Sequence, residues 1–233
     1  MNYLDIRTEC VAANKALQAA GLIDLTFGNA SVLDAAEKVF AIKPSGVPYE
    51  ELVPESMVIV SLDGTIVEGD LRPSSDEPTH RRLLQAFMDR GIRSVVHTHS
   101  RNAVAFAQAE QSIPCLGTTH ADYFNGSVPV TREMRPDEVN RGYEWETGNV
   151  IVETLGKTDP NEISAALVRS HGPFVWGSSG PKAVEIAIAL EAIADMAVKT
   201  LSLKPKASGA PDHIRKKHFL RKHGAEAYYG QPK

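Results

Sequence analysis

Three histidines carry the sharpest chemical signal in this chain. His97 and His99 close the run Val95-Val96-His97-Thr98-His99. Side chains two apart on a strand point to the same side, so a strand end here aims two imidazoles at one point. Imidazole suits zinc and its neighbours. Alone, such a pair is more often two surface or hydrogen-bonded histidines. A third, His171 in Ser170-His171-Gly172-Pro173, sits where another strand ends in a turn. Three histidines with an open fourth position are the layout of a catalytic zinc site.

A second set of residues suits an anion. Gly28-Asn29, Lys43-Pro44-Ser45-Gly46 and Pro73-Ser74-Ser75-Asp76 offer backbone N–H groups, hydroxyls and one ammonium with little bulk. The last of these opens a helix-like segment, whose N-terminus favours negative charge. Together they can hold a phosphate; each by itself reads better as a turn or a helix cap. A third stretch, Thr118-Thr119-His120-Ala121-Asp122-Tyr123, puts candidate acids and bases on one loop. Near the chain's end, His218, Arg221, His223 and the pair Tyr228-Tyr229 form a polar tail. Tails are often poorly ordered, and paired tyrosines there call for something to dock on.

These groups need strands and helices to aim them. Residues 4–20 read as a helix, with Leu4, Val11 and Leu17 sharing a face and Gly21 at the C-terminal cap. Strands are expected over 25–32, 39–42, 57–61, 93–98, 149–154 and 166–168. Asp63-Gly64 marks a hairpin. Residues 174–176 should pair back after a turn at Gly172-Pro173. Helices are expected over 76–88, 181–203 and 213–227. The second has Pro181 in its first turn and Leu190, Ile193, Ala197 and Leu201 at helical spacing. Irregular alternation of strands and helices suggests an α/β layered domain with helices covering a central sheet.

At 233 residues, with 42% apolar and 23% charged, the chain has the composition of one ordinary globular domain. A net charge of -4 excludes an overtly basic nucleic-acid binder, and the basic stretch 215–222 reads mostly as a solvated helix face. Cys10 and Cys115 match no zinc or redox spacing. No apolar run approaches the roughly 20 residues of a membrane helix, and the N-terminus lacks a signal-peptide pattern. The expectation is a soluble, reduced, cytoplasmic protein with no membrane or nucleic-acid partner.

At these same residues the chain resembles the class II aldolase and epimerase family. Thr26-Phe27-Gly28-Asn29-Ala30-Ser31 is similar to the family's substrate-phosphate loop. Lys43 to Gly46, Pro73 to Asp76 and His97 to Ser100 follow in the family's order. The resemblance narrows to its ketopentose-phosphate 4-epimerases. Gly117 to Phe124 is similar to their acid/base loop. Tyr143-Glu144-Trp145-Glu146-Thr147-Gly148-Asn149, Ser170 to Phe174 and Tyr228-Tyr229-Gly230-Gln231 also match. The match spans nearly the whole chain; two extra residues fall around Asp89 to Arg93.

The resemblance implies a single three-layer α/β/α domain with a mainly antiparallel central sheet. A C-terminal tail, about 211–233, would complete the active site. It implies metal ligation by Asp76, His97, His99 and His171, with zinc preferred and manganese or cobalt possible. Substrate contacts would come from Gly28, Asn29, Lys43, Ser45, Gly46, Ser74 and Ser75. Asp122 and Tyr229 would exchange protons, reaching the site from a neighbouring subunit of a cyclic homotetramer. The implied reaction inverts C4 of a small phosphorylated sugar by metal-assisted cleavage and re-formation of C3–C4. An aldolase that releases the fragments is the nearest alternative; related aldolases carry Glu where this chain has Asp76. A non-catalytic binding module of the same fold, as in adducin-like heads, would be expected to lack the metal ligands.

Overall fold

The β-branched runs of the sequence pair into one sheet in a computed structural model, which describes residues 2–224 and 226–230. Gln231, one of the tail residues that carry the resemblance, lies outside the described residues, as does Ala225 within the expected C-terminal helix. The strands are β1 Asn29–Asp34, β2 Val39–Ile42, β3 Val58–Ser61, β4 Ile66–Glu68, β5 Ser94–His97, β6 Ala165–Val168 and β7 Gly172–Gly177. They lie in the order β4-β3-β2-β1-β5-β7-β6, and every neighbouring pair is antiparallel. β2, β5, β6 and β7 are buried along their whole length, so helices must cover both faces of the sheet.

Two groups of helices do so. α1 Leu4–Ala19, α3 Arg101–Gln108 and α6 Gly180–Leu203 pack together against β1, β5 and β7; α2 Glu77–Phe87 and α5 Pro136–Leu155 form the other layer against β5 and β6. α5 lies close on α2 because Gly148 has no side chain: a Cβ there would stand 2.7 Å from Arg82 Cβ. The short α4 Thr118–Ala121 meets α7 Asp212–His223 at another edge of the molecule. Three layers and an antiparallel sheet are the architecture that the sequence implied.

Several local expectations are corrected. Residues 149–154 lie inside α5, not in a strand. Val150, Ile151 and Leu155 recur at helical spacing on a buried face, and that packing overrides the β preference of their branched side chains. The first strand begins at Asn29, because Leu25 is 81% exposed with φ 56° and Phe27 N–H donates to Asp24 O in a turn. Gly172 and Pro173 belong to β7, and the turn falls at residues 169–171, where Ser170 takes φ 60°. The face that α1 buries is Arg7, Cys10, Ala13, Asn14 and Leu17, while Leu4 is half exposed. α3 had no expected counterpart.

Besides His97, two histidines are buried, His80 and His120. His80, on α2, bonds its Nδ1 to Ser31 Oγ at 2.8 Å, and its Nε2 is buried with no partner. His120 bonds Nε2 to Gly126 O at 2.6 Å. Burial drives both pKa values down from 6.5 to about 4, so both are neutral at pH 7. Over that window the unfolded chain binds a proton that the folded chain refuses. Their contribution is therefore complete above an unfolded pKa of about 6.5 and is lost as pH falls toward the folded value of about 4. In His80→Gln, unfolding free energies measured from about pH 7 to about pH 4.5 should fall less steeply than in wild type, by up to ~1.4 kcal/mol per pH unit. Parallel profiles would mean that His80 takes up its proton freely in the folded protein.

Candidate active site

Register brings the site together at one end of the sheet. Asn29, first in β1, faces His97, last in β5, and His97 faces Phe174 in β7. The β6–β7 turn holds His171 beside them, and His99 follows just past the end of β5. His97, His99 and His171 each offer a nitrogen within 4.8 Å of the other two. The Nε2 atoms of His97 and His99 face each other at 3.1 Å.

The outer nitrogens of two of them are engaged elsewhere. His97 Nδ1 meets Pro173 O at 3.0 Å, and His171 Nδ1 meets the Tyr143 hydroxyl at 3.2 Å. The ring of His97 stacks on Phe174 at 4.2 Å and that of His99 on Phe27 at 5.5 Å. Burial holds His97 and His171 below the ordinary histidine pKa, and the neighbouring imidazoles add to the effect. Three converging imidazoles, two of them with the second nitrogen bonded outward, are a donor set that fits a divalent ion.

Asp76 stands at the rim of this set. It occupies the N-cap position of α2 yet makes no cap bond. Its Oδ2 instead accepts from Asn29 Nδ2 at 2.7 Å, and its side chain lines the same pocket as the three histidines. Burial alone would raise its pKa. His97, His80, the Asn29 amide and His171 outweigh that and hold it below the usual carboxylate value. Asp76 lies outside the set of three mutually close nitrogens.

The anion-type loops form the other wall. Ser45 N–H donates to Arg72 O at 3.0 Å and Ser74 N–H to Lys43 O at 2.9 Å, which ties the two loops side by side. Gly28, Asn29, Lys43, Ser45, Gly46, Ser74 and Ser75 all line a pocket of about 420 Å³ with Asp76 and the three histidines. Gly28 takes φ 101°, and a Cβ there would stand 2.8 Å from His97 O. Lys43 is 2% exposed; burial lowers its pKa, and its Nζ sits 4.9 Å above the Tyr49 ring. Asn29 Oδ1 is buried without a partner, an acceptor open to a ligand.

Asp122 and Tyr229 lie elsewhere and line no part of this pocket. They are grouped around Arg221. Asp122 accepts from Arg221 Nη2 at 2.7 Å and Nε at 3.0 Å, and pairs with His218 Nδ1 at 3.0 Å. The Arg221 guanidinium covers the Tyr229 ring at 5.0 Å. Burial pushes the Asp122 carboxyl up, and Arg221 with His218 overrides it to hold the pKa low. In the basic stretch 215–222, Lys216 is exposed as expected, but most of the other charges are engaged: Arg215 donates to Asn125 and Asp212, Arg221 to Asp122, and Lys217 and Lys222 stand over the rings of Tyr228 and of Tyr123 and Tyr229.

Sequence reasoning did not single out Tyr143, Glu144, Thr26 and Phe27 as site residues, although all line the pocket. Tyr143 and Glu144 enter it because Gly142, with φ 163° and ψ 80°, interrupts α5 just before them. The available signals were their places in the two motifs that carry the resemblance and, for Tyr143, the glycine before it. His80 left none.

The model of the class II aldolase and adducin N-terminal domain matches residues 8–198. L-ribulose-5-phosphate 4-epimerase UlaF of Salmonella paratyphi C is 46% identical over 226 residues, covering 97% of this chain and 98% of the relative. The protein of the same name from Salmonella typhi has the same identity and coverage. Among solved structures, an L-fuculose 1-phosphate aldolase superposes with TM-score 0.76 at 22% identity, over 92% of this chain and 94% of its own. L-fuculose-1-phosphate aldolase of Thermus thermophilus gives TM-score 0.67 at 26% identity, over 86% and 97%. With the fold, the three converging histidines and these relatives in agreement, the chain belongs to the class II aldolase and adducin N-terminal domain family.

Proposed function

We propose that this chain is an L-ribulose-5-phosphate 4-epimerase, interconverting L-ribulose 5-phosphate and D-xylulose 5-phosphate. The observation that carries the reading is one pocket with three converging imidazoles on one wall and an anion cradle on the other. The full-length relatives of that name, 46% identical, support the substrate.

The chemistry follows from the substrate. The hydrogen on C4 is not next to the C2 ketone, so removing it leaves a carbanion without a sink. Breaking C3–C4 sends those electrons to the ketone. The phosphate is on C5, so the fragments are the enediolate of dihydroxyacetone and glycolaldehyde phosphate, not dihydroxyacetone phosphate and glycolaldehyde. His97, His99 and His171, with Asp76 at the rim, would hold a divalent ion, which we take to be zinc, and bound there it would supply Lewis acidity for the ketone oxygen.

The remaining work falls to side chains. Gly28, Asn29, Lys43, Ser45, Gly46, Ser74 and Ser75 grip the phosphate, so the aldehyde can turn about its C4–C5 bond without leaving. Re-addition to its other face inverts C4. One group must take the proton from the C4 hydroxyl and another must return one to the new alkoxide. We assign these roles to Asp122 and Tyr229. In one chain this pair lines no part of the pocket, which favours its delivery, with the C-terminal tail, by a neighbouring subunit of a cyclic homotetramer.

Zinc-loaded protein should convert L-ribulose 5-phosphate to D-xylulose 5-phosphate, and His97→Asn should lose at least ~100-fold of that rate together with bound zinc. Net release of glycolaldehyde phosphate and dihydroxyacetone would identify an aldolase instead, and inertness with zinc bound would reject the substrate. Shared sites make a further prediction. His97→Asn and Asp122→Asn proteins, each inactive, should regain about a quarter of wild-type activity when their subunits are unfolded together and reassembled as a mixture. Absence of recovery, with mixed oligomers verified by mass, would place all the groups in one chain.

A further inference from the structure

Each histidine of the cluster meets at least one aromatic ring. Phe174 lies under His97 and Phe27 under His99, both by stacking alone. His171 differs. It sits in the turn at residues 169–171, next to Ser170 at φ 60°, and so lacks the strand pairing that fixes His97. It meets Phe174 edge-on at 6.2 Å and stacks on Tyr143 with ring centroids 6.3 Å and planes 30° apart, and only Tyr143 adds a hydrogen bond, hydroxyl to Nδ1 at 3.2 Å.

Tyr143 is itself firmly placed. Its carbonyl accepts from the Thr147 hydroxyl at 2.8 Å, and the next carbonyl, Glu144 O, accepts from the Thr79 hydroxyl on α2. The interruption at Gly142 frees this turn from the preceding helix and sets it over the pocket. His171, held in a turn rather than a strand, thus meets an aromatic residue whose backbone is anchored through Thr147 and Thr79.

We propose that Tyr143 is a positioning residue. Its hydroxyl oxygen accepts from Nδ1–H of His171, which fixes the ring plane and leaves Nε2 as the free donor toward the ion. The proposal rests on the reading that the three histidines hold a metal. An outward bond on the far nitrogen of a ligating imidazole sets its tautomer and orientation, and losing such a bond typically weakens metal affinity about 10–100-fold. Tyr143 touches the ligand and acts through it.

Two variants separate the hydrogen bond from packing. Tyr143→Phe keeps the ring and removes the oxygen; Tyr143→Leu removes both. Zinc affinity is read by competition with a chromogenic chelator, alongside the melting temperature of the metal-free proteins. We expect Tyr143→Phe to bind zinc about 10–100-fold more weakly, with an unchanged metal-free melting temperature, and Tyr143→Leu to bind more weakly still. Wild-type zinc affinity in Tyr143→Phe overturns the assignment. So does a metal-free melting temperature that falls while affinity holds, since that marks a packing role. A wild-type protein that takes up no zinc overturns the metal reading itself, and the Tyr143 assignment with it.

Discussion

The antiparallel register of three central strands governs this molecule. β1, β5 and β7 pair so that Asn29, His97 and Phe174 fall in one row across the sheet. A slip of one residue would turn every side chain to the opposite face. His97 would then leave its phenylalanine and its neighbours. The buried strands on either side fix that row, and helices on both faces fix the strands. The chemistry at the sheet's end thus inherits its precision from apolar pairing well inside the protein.

Electrostatics at the site follow from the same burial. An enclosed imidazole with other imidazoles around it resists protonation, so the lone pairs stay available. A carboxylate in the same enclosure would ordinarily pick up a proton. Asp76 keeps its charge because histidines and an amide face it. Asp122 keeps its charge for a different reason, the guanidinium and imidazole of the C-terminal helix. Two carboxylates of one chain are thus held ionised by unlike surroundings, one at the pocket and one away from it.

Much of this was legible in the residues. The His-x-His pair, the small polar loops and the long α6 announce themselves, because each rests on local spacing or turn chemistry. The layered architecture followed from alternation of elements. What local pattern could not convey was decided by contacts distant in sequence. Residues 149–154 look like a strand until α2 is packed against them. Leu25 and Phe27 are apolar yet stay outside the sheet, because the chain turns before Asn29. His80 is ordinary in sequence, and only Ser31, 49 positions away, makes it an interior group. The meeting of His171 with His97 and His99 depends on β7 pairing with β5, and Tyr143 joins them only through the interruption at Gly142.

The tie between the two anion-type loops has a wider meaning. Ser45 and Ser74 are fixed through their own backbone N–H groups, so the frame of the cradle is written in main chain while its selectivity is written in side chains. Replacing a hydroxyl or an ammonium on such a frame alters what is bound without loosening the frame. Such a frame tolerates exchange of the side chains mounted on it, and the fold as a whole is kept in a solved structure only 22% identical to this chain.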